Sequence, residues 1–297
     1  MTLYVILARK QVDLPIDLSL MRACAARNID YKHLVTEDIV LDDLRDLPVE
    51  PGDLLYRASL QPKARAAESL LIGSGKSVLT SIFNTQPLYP YQLLREISMQ
   101  IASGLQIIPT QIVDETWLAM SDEELTRRVN KIGGLPVVVK SMGKSHGRGI
   151  TRESTVAELR QRLQDYDEGG LGMVVRKYLD DYRHYRVIMI EDRVVAAIEY
   201  HKPDDDFRTN ASENVVVTPV NVEDLPEGVA DVALAGFALR SSLTGGADIL
   251  VDQTTGKPYF AEVNVPCYFP RAEGVTGIDI GGQLVDALVR KAKATHG

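Results

Sequence analysis

Asp248, Glu262 and Asn264 are hard-oxygen side chains set on two neighbouring apolar runs, 247–251 and 259–263 with the residue that follows it. If the runs pair as a hairpin, an acid on one strand faces an acid and an amide on the other, and two-residue spacing puts Glu262 and Asn264 on one face. Two carboxylates and a carbonyl oxygen suit Mg²⁺ that keeps phosphate oxygens in its shell. The alternative is a pair of solvated hairpin acids, against which stand the apolar neighbours Ile249, Leu250, Val251, Phe260 and Val263. A second group lies upstream. Lys140 closes the apolar run 137–139 and leads into Gly143-Lys144-Ser145-His146-Gly147-Arg148-Gly149. Glycine backbone offering N–H donors beside a strand-end lysine makes a phosphate cradle. Its spacing fits neither a Walker A motif nor a dinucleotide fingerprint, and a basic hairpin loop is the plain alternative.

Elements that could position these groups follow from the periodicity. Between residues 3 and 83, short apolar runs (3–8, 31–35, 53–57, 78–83) alternate with helical patterns (16–28, 61–72), the mark of an α/β unit with a mainly parallel sheet. After Pro87 and Pro90 a helix fits 91–103, with Leu93, Leu94, Ile97 and Ile101 on one face and Gly104 as its stop. A strand fits 106–113, and Ser121 with Glu124 makes a capping box for a helix to about Lys131. Strand 135–140, the Gly-rich stretch and a second capping box, Thr155 with Glu158, follow in that order. Extended runs recur at 173–179, 185–191, 194–200 and 215–220, then a helix at 226–242, the hairpin 247–263 and a last helix at 282–294. The pattern predicts a three-part α+β protein with antiparallel sheet in its second half.

Composition narrows the class. The 297 residues are 45% hydrophobic and 25% charged, ordinary for a globular chain and unlike a disordered or fibrous one. Asp and Glu outnumber Lys and Arg, 41 to 33, for a net charge of −8, which argues against nucleic acid as a partner. Nowhere do about 18 apolar residues run together, so no membrane span is expected. The N-terminal apolar run is short, is followed at once by Arg9 and Lys10, and reads as a first strand and not as a signal peptide. Two cysteines, Cys24 in a helix and Cys267 in a loop, point to a reducing compartment, and the expectation is the cytoplasm.

The ordered set of motifs resembles the ATP-grasp superfamily, closest to the branch of ribosomal-protein-modifying glutamate ligases, with lysine-biosynthesis ligases and glutathione synthetases as relatives. The matching stretches are Leu135-Pro-Val-Val-Val-Lys140 with 143–149, Arg186-Val-Ile-Met-Ile with Val194-Val-Ala-Ala-Ile, Asp206-Phe-Arg-Thr-Asn210, Ala247-Asp-Ile-Leu250, Glu262-Val-Asn264 and Thr276-Gly-Ile-Asp-Ile280. The resemblance implies an ATP-grasp fold: an N-terminal α/β domain over 1–84 and two α+β lobes, 85–179 and 180–297, clamping ATP. It implies a ligase in which ATP phosphorylates a carboxylate and an amine attacks the acyl phosphate, releasing ADP and phosphate. By matching position, Lys140 contacts the phosphates, the loop with Ser145, His146, Gly147 and Gly149 covers them, and Asp248, Glu262 and Asn264 hold Mg²⁺, with Mn²⁺ as a substitute. Arg208 faces the γ-phosphate and the reacting carboxyl, as phosphoryl transfer requires of a positioned cation. Asn210 adjoins the substrate.

The chain departs from the family at three places. Where the family has a lysine at the start of the 91–103 helix, it carries Leu94 and Arg95, and Arg95 stands in as the phosphate cation. The adenine hinge, usually Gln-Glu before an aromatic, reads Arg176-Lys177-Tyr178-Leu179, leaving main-chain recognition through Lys177, Tyr178 and Leu179, with Asp180 or Asp181 for the ribose. After Asn264 comes Val-Pro-Cys-Tyr-Phe-Pro-Arg271 in place of small residues and Pro-Gly, so Arg271 borders a substrate site unlike that of the relatives. Arg57 at a strand end, with Lys63 and Arg65 beyond it, offers a carboxylate anchor, though Lys63 and Arg65 read more simply as solvated helix charges.

The substrates expected are an amino acid or peptide, and a homo-oligomer is compatible with the sequence. Competing readings are an ATP-binding scaffold or sensor that has lost ligation, and a carboxylate kinase that hands on its acyl phosphate. Cys267 lacks an identifiable partner for nucleophilic work, and His33, His184 and His201 show no ligand spacing. The cluster Tyr182-Arg-His-Tyr-Arg186 reads as a strand flank beside the nucleotide.

Overall fold

A computed structural model describes residues 1–73, 79–83, 93–142, 149–166, 172–201, 206–209 and 215–296. The first sheet is parallel, in the order β2-β1-β3-β4, from β1 (Thr2–Leu7), β2 (Asp30–Val35), β3 (Leu54–Arg57) and β4 (Thr80–Ser81). Every residue of β1 is buried, as a strand covered on both faces must be. Alternation divides its side chains: Leu3, Val5 and Leu7 pack on α1 (Pro15–Ala25) and on the C-terminal helix, while Tyr4 and Ile6 pack on α2 (Pro62–Gly73). The strand expected over 78–83 is only two residues of ladder at β4, because Phe83 leaves the sheet to bridge Ser242.

Helix α3 (Leu93–Ala102) leads to a second, antiparallel sheet, β5-β8-β6-β7, built from β5 (Thr110–Val113), β6 (Val137–Ser141), β7 (Ile150–Glu153) and β8 (Met173–Lys177). Helices α4 (Thr116–Ala119), α5 (Asp122–Asn130) and α6 (Val156–Leu163) cover one face, where Trp117, Leu125, Val129, Leu159 and Leu163 meet Val113, Val137, Val139, Met173 and Val175. Both expected capping boxes form, Ser121 with Glu124 and Thr155 with Glu158, each supplying partners to N–H groups that the first helical turn leaves open. The strand expected from 106 begins at Thr110, since Gln106 and Ile107 pair instead with the third sheet through Phe260.

That third sheet is antiparallel, β11-β10-β9-β12-β13, from β9 (Tyr182–Ile190), β10 (Arg193–Tyr200), β11 (Val217–Val220), β12 (Thr244–Asp252) and β13 (Pro258–Asn264), with α7 (Val229–Ala238) on one face. A bulge decides how β13 presents its side chains. Asp248 pairs with Glu262 and Ile249 with Phe260, leaving Ala261 extra. Phe260 and Val263, three apart, therefore both face α7, while Glu262 stands opposite Asp248. Gly236 of α7 sits against the Phe260 ring, where a Cβ would lie 2.1 Å from a ring carbon, so only glycine permits this approach. Helices α8 (Pro270–Thr276) and α9 (Ile280–His296) return to the first sheet, and one apolar cluster joins Leu3 and Val5 to Ile188, Ile198, Leu284 and Leu288. Among the described residues no helix is long and apolar enough to cross a membrane.

Candidate active site

A cleft of about 180 Å³ opens between the second sheet's face turned away from α4–α6 and the third sheet's face turned away from α7. The second sheet contributes Val138 and Lys140 from β6 and Arg176 from β8, each on the face its covering helices leave open. The third sheet contributes His184, Asp248, Leu250 and Glu262, and the end of β8 and the segment after it supply Lys177, Tyr178 and Leu179 at the rim. Arg208 and Thr209 line the same cleft.

The two sheets meet through charge. Lys140 Nζ donates to Glu262 Oε2 at 2.6 Å, and Arg176 Nη1 donates to the carbonyl of the bulge residue Ala261 at 3.2 Å. Asp248, 2% exposed, is clasped by Arg186, whose Nε and Nη2 each donate at 2.8 Å. Asn264 Nδ2 adds a bond to Asp248 Oδ2 at 3.3 Å. Burial alone would raise the Asp248 carboxyl, but Arg186 and His184 overcome it and hold the group well below the usual carboxylate range. The Lys140 charge lowers Glu262 against burial and the neighbouring Asp248 charge, so both acids are carboxylates at neutral pH.

This donor set fits a divalent cation that takes most of its ligands from phosphate and water. Among the described residues no group of three or more His, Cys, Asp or Glu side chains forms a metal cage. Two carboxylates on paired strands and an adjacent amide are the sparse protein set that Mg²⁺ uses beside phosphates. Glu262, 39% exposed in its side chain, is within reach of the cleft.

Other expected residues fall differently. Arg57 lies away from the cleft: it is 3% exposed, its Nε donates to Glu68 Oε2 at 2.6 Å and its Nη1 to Ser59 O at 2.7 Å. Its guanidinium is engaged by a buried carboxylate in the next helix, a partner invisible in spacing. Gly149 closes its loop at φ 74°, its carbonyl accepting from Ser141, whereas Ser145, His146, Gly147 and Asn210 lie outside the described residues. Arg95 lies in α3, but its side chain is outside them. Asp181 is exposed, with its carbonyl accepting from Gln253, and does not line the cleft. Arg271 is half-buried in the first turn of α8. Arg208 Nη2 meets Asp206 Oδ2 at 2.7 Å, and its Nε lies 3.0 Å from both carboxylate oxygens. Cys267 is buried, which pushes its thiol up to about 12 and leaves it inert as a nucleophile. His33 contacts Asp17, and His201 contacts Thr218.

The sequence reading did not single out His184 and Arg186 as partners of Asp248. Their signal was the two-residue spacing Tyr182, His184, Arg186, which puts all three on one face of β9. Arg152 was also missed, and its guanidinium sits 4.4 Å from the Tyr178 ring centroid at the rim.

Residues 97–288 match the model of a family described as a RimK-like ATP-grasp domain. A probable alpha-L-glutamate ligase of Enterobacter sp. is 28% identical over 197 residues, 64% of this chain and 63% of that protein. A ribosomal protein bS6--L-glutamate ligase of Escherichia coli is 28% identical over 201 residues, 65% of this chain and 64% of that protein. The matches thus span less than two thirds of the length of these curated relatives. A D-alanine--D-alanine ligase from Bacillus anthracis superposes with a TM-score of 0.73 at 16% identity, covering 100% of this chain and 98% of that one. The ATP-grasp ligase PsnB, complexed with minimal precursor, Mg and ADP, superposes with a TM-score of 0.69 at 14% identity, covering 98% of both chains. At such identities the likeness is one of fold.

Proposed function

Because the chain belongs to the RimK-like ATP-grasp family, we propose that it is an ATP-dependent carboxylate–amine ligase acting on an amino acid or peptide, with release of ADP and phosphate. The observation that carries this reading is the meeting of Lys140 from one sheet with Glu262 from the other, beside Asp248 and Asn264 in a shared cleft. ATP phosphates belong at that meeting. The base then lies among Ile108, Val138, Ile150 and Leu250, with the main chain of 177–179 at its edge.

Lys140 exchanges its bond to Glu262 for one to a phosphate oxygen, which frees the carboxylate for the cation. Asp248, Glu262 and Asn264 would hold Mg²⁺, or Mn²⁺ in its place, which when bound would supply charge neutralisation on the phosphates. Arg208 steadies the oxygens of the γ-phosphoryl group as its bond to ADP breaks and a bond to the substrate carboxylate oxygen forms. The amine attacks the resulting acyl phosphate, phosphate departs with that carboxylate oxygen, and the nitrogen's proton leaves with it to give the neutral amide. Ser145, His146, Gly147 and Gly149 are assigned to the phosphates, Arg95 to the nucleotide, and Asn210 and Arg271 to the substrate. The relatives named as glutamate ligases lend only a substrate class, and the enzyme is assigned to the cytoplasm. Retention of two carboxylates and an amide on facing strands favours turnover over a scaffold that only binds nucleotide.

The test is ADP release with Mg·ATP over amino acids and peptides offered pairwise, followed by product masses. The reading requires a product equal to the pair less one water, lost in Glu262→Gln. ADP release without a joined product for any pair would count against it.

A further inference from the structure

One face of β9 touches three parts of the cleft at two-residue intervals. Tyr182 donates its hydroxyl to Phe207 O at 2.6 Å, and Arg186 clasps Asp248. Between them His184, 3% exposed, bonds Thr209 Oγ1 through Nδ1, while its Nε2 lies 3.2 Å from Asp248 Oδ1. The ring is held flat against Tyr200, with centroids 4.9 Å apart and planes 27° apart, so it cannot turn without losing that stack. Thr209 is itself 4% exposed and directly follows Arg208.

Each imidazole nitrogen therefore faces a different structure. A carboxylate only accepts, so the arrangement calls for a proton on Nε2 toward Asp248, leaving Nδ1 to accept from the Thr209 hydroxyl. The Nε2 contact is close but makes no hydrogen bond here, so a small movement of the Asp248 carboxylate completes it or opens it further. The Thr209 contact passes the same movement to the segment that carries Arg208. Arg186 cannot substitute, because both of its bonds end on Asp248.

We propose that His184 is a positioning residue that couples the Asp248 carboxylate to the 206–209 segment, setting Arg208 in register with the cation site. This rests on the nucleotide site proposed above. Filling that site moves Asp248, the ring follows or resists, and Thr209 fixes where the guanidinium stands.

The test is amide hydrogen exchange with Mg²⁺ and a non-hydrolysable ATP analogue, on the wild type and on His184→Phe, Thr209→Val and Thr209→Ser. Phe keeps the stack on Tyr200 and loses both nitrogens, Val keeps the volume of Thr209 without its hydroxyl, and Ser keeps the hydroxyl. Wild type and Thr209→Ser are expected to gain protection in 206–209 together with β12 and β13. His184→Phe and Thr209→Val are expected to keep the gain in β12 and β13 and lose it in 206–209, with turnover down about 10-fold or more. Equal protection of 206–209 in all four proteins overturns the coupling, as does loss of the β12 and β13 response in the two variants, which would mark plain structural damage. A wild type that responds nowhere overturns the nucleotide site itself, and the coupling with it.

Discussion

Replacing Arg208 separates the two roles its surroundings offer. Its ion pair with Asp206 spans two residues and leaves the side chains 30% and 24% exposed. A pair so placed stabilises by about 0.2–1 kcal/mol. At about 2–4 °C of melting temperature per kcal/mol, its loss is a shift of a few degrees at most. An oriented cation withdrawn from a transition state costs far more, on the order of 10²–10³ in kcat or about 2.7–4 kcal/mol. Arg208→Lys keeps charge and loses the planar fork, so it tests geometry where Arg208→Ala tests charge. Three measurements suffice: kcat from ADP release at saturating ATP, analogue affinity by calorimetry, and the melting temperature. Both variants are expected to lose about 10²–10³ in kcat while melting within about 4 °C of wild type and binding nucleotide nearly as well. If the Ala variant melts far lower while the Lys variant works at full rate, Arg208 holds its loop and the catalytic role is wrong.

The remaining predictions concern affinity, a buried pair and acid. Lys140→Ala should weaken binding of a non-hydrolysable ATP analogue by about 1.5–3 kcal/mol, the worth of a hydrogen bond to charge, and an unchanged affinity would remove Lys140 from the phosphates. Arg57→Leu takes from buried Glu68 its hydrogen-bonded partner, leaving only the charge of Arg65 nearby, and should destabilise by about 3–5 kcal/mol in urea. A raised substrate KM at unchanged stability would instead mark Arg57 as a substrate anchor. Asp286 is held below its usual range by hydrogen bonds from Arg27, which tie α9 to the turn that follows α1. Its contribution is therefore present above about pH 3.9 and lost as pH falls through its lower folded value. Asp286→Asn should flatten the fall of the urea midpoint below about pH 4, and an unaltered acid limb refutes this.

Local signals carried well into the structure, and pairings across the chain did not. The capping boxes at Ser121 and Thr155 need only a neighbouring turn, and they formed as read. Glu262 and Asn264 share a face with Asp248 because strand alternation and a short hairpin suffice to place them, though the bulge at Ala261 had no sequence mark. β7 spans only Ile150–Glu153, too short for its alternation to stand out after a Gly-rich stretch. α8 follows a run of Pro, Cys and aromatics that reads as loop, yet Pro270 at its first turn and Gly277 at its end are ordinary helix punctuation. Arg57 with Glu68 and His184 with Thr209 depend on which side chains a folded sheet brings together, and spacing does not encode that.

The central claim is that a substrate carboxylate is activated by direct transfer of the γ-phosphoryl group. A carboxylate substrate from the pairwise screen, labelled with ¹⁸O in its carboxyl group, tests it most directly. The account predicts one labelled oxygen in the phosphate released for each amide formed, with ADP as the nucleotide product. Label found in AMP, or phosphate released without label while amide accumulates, would contradict it.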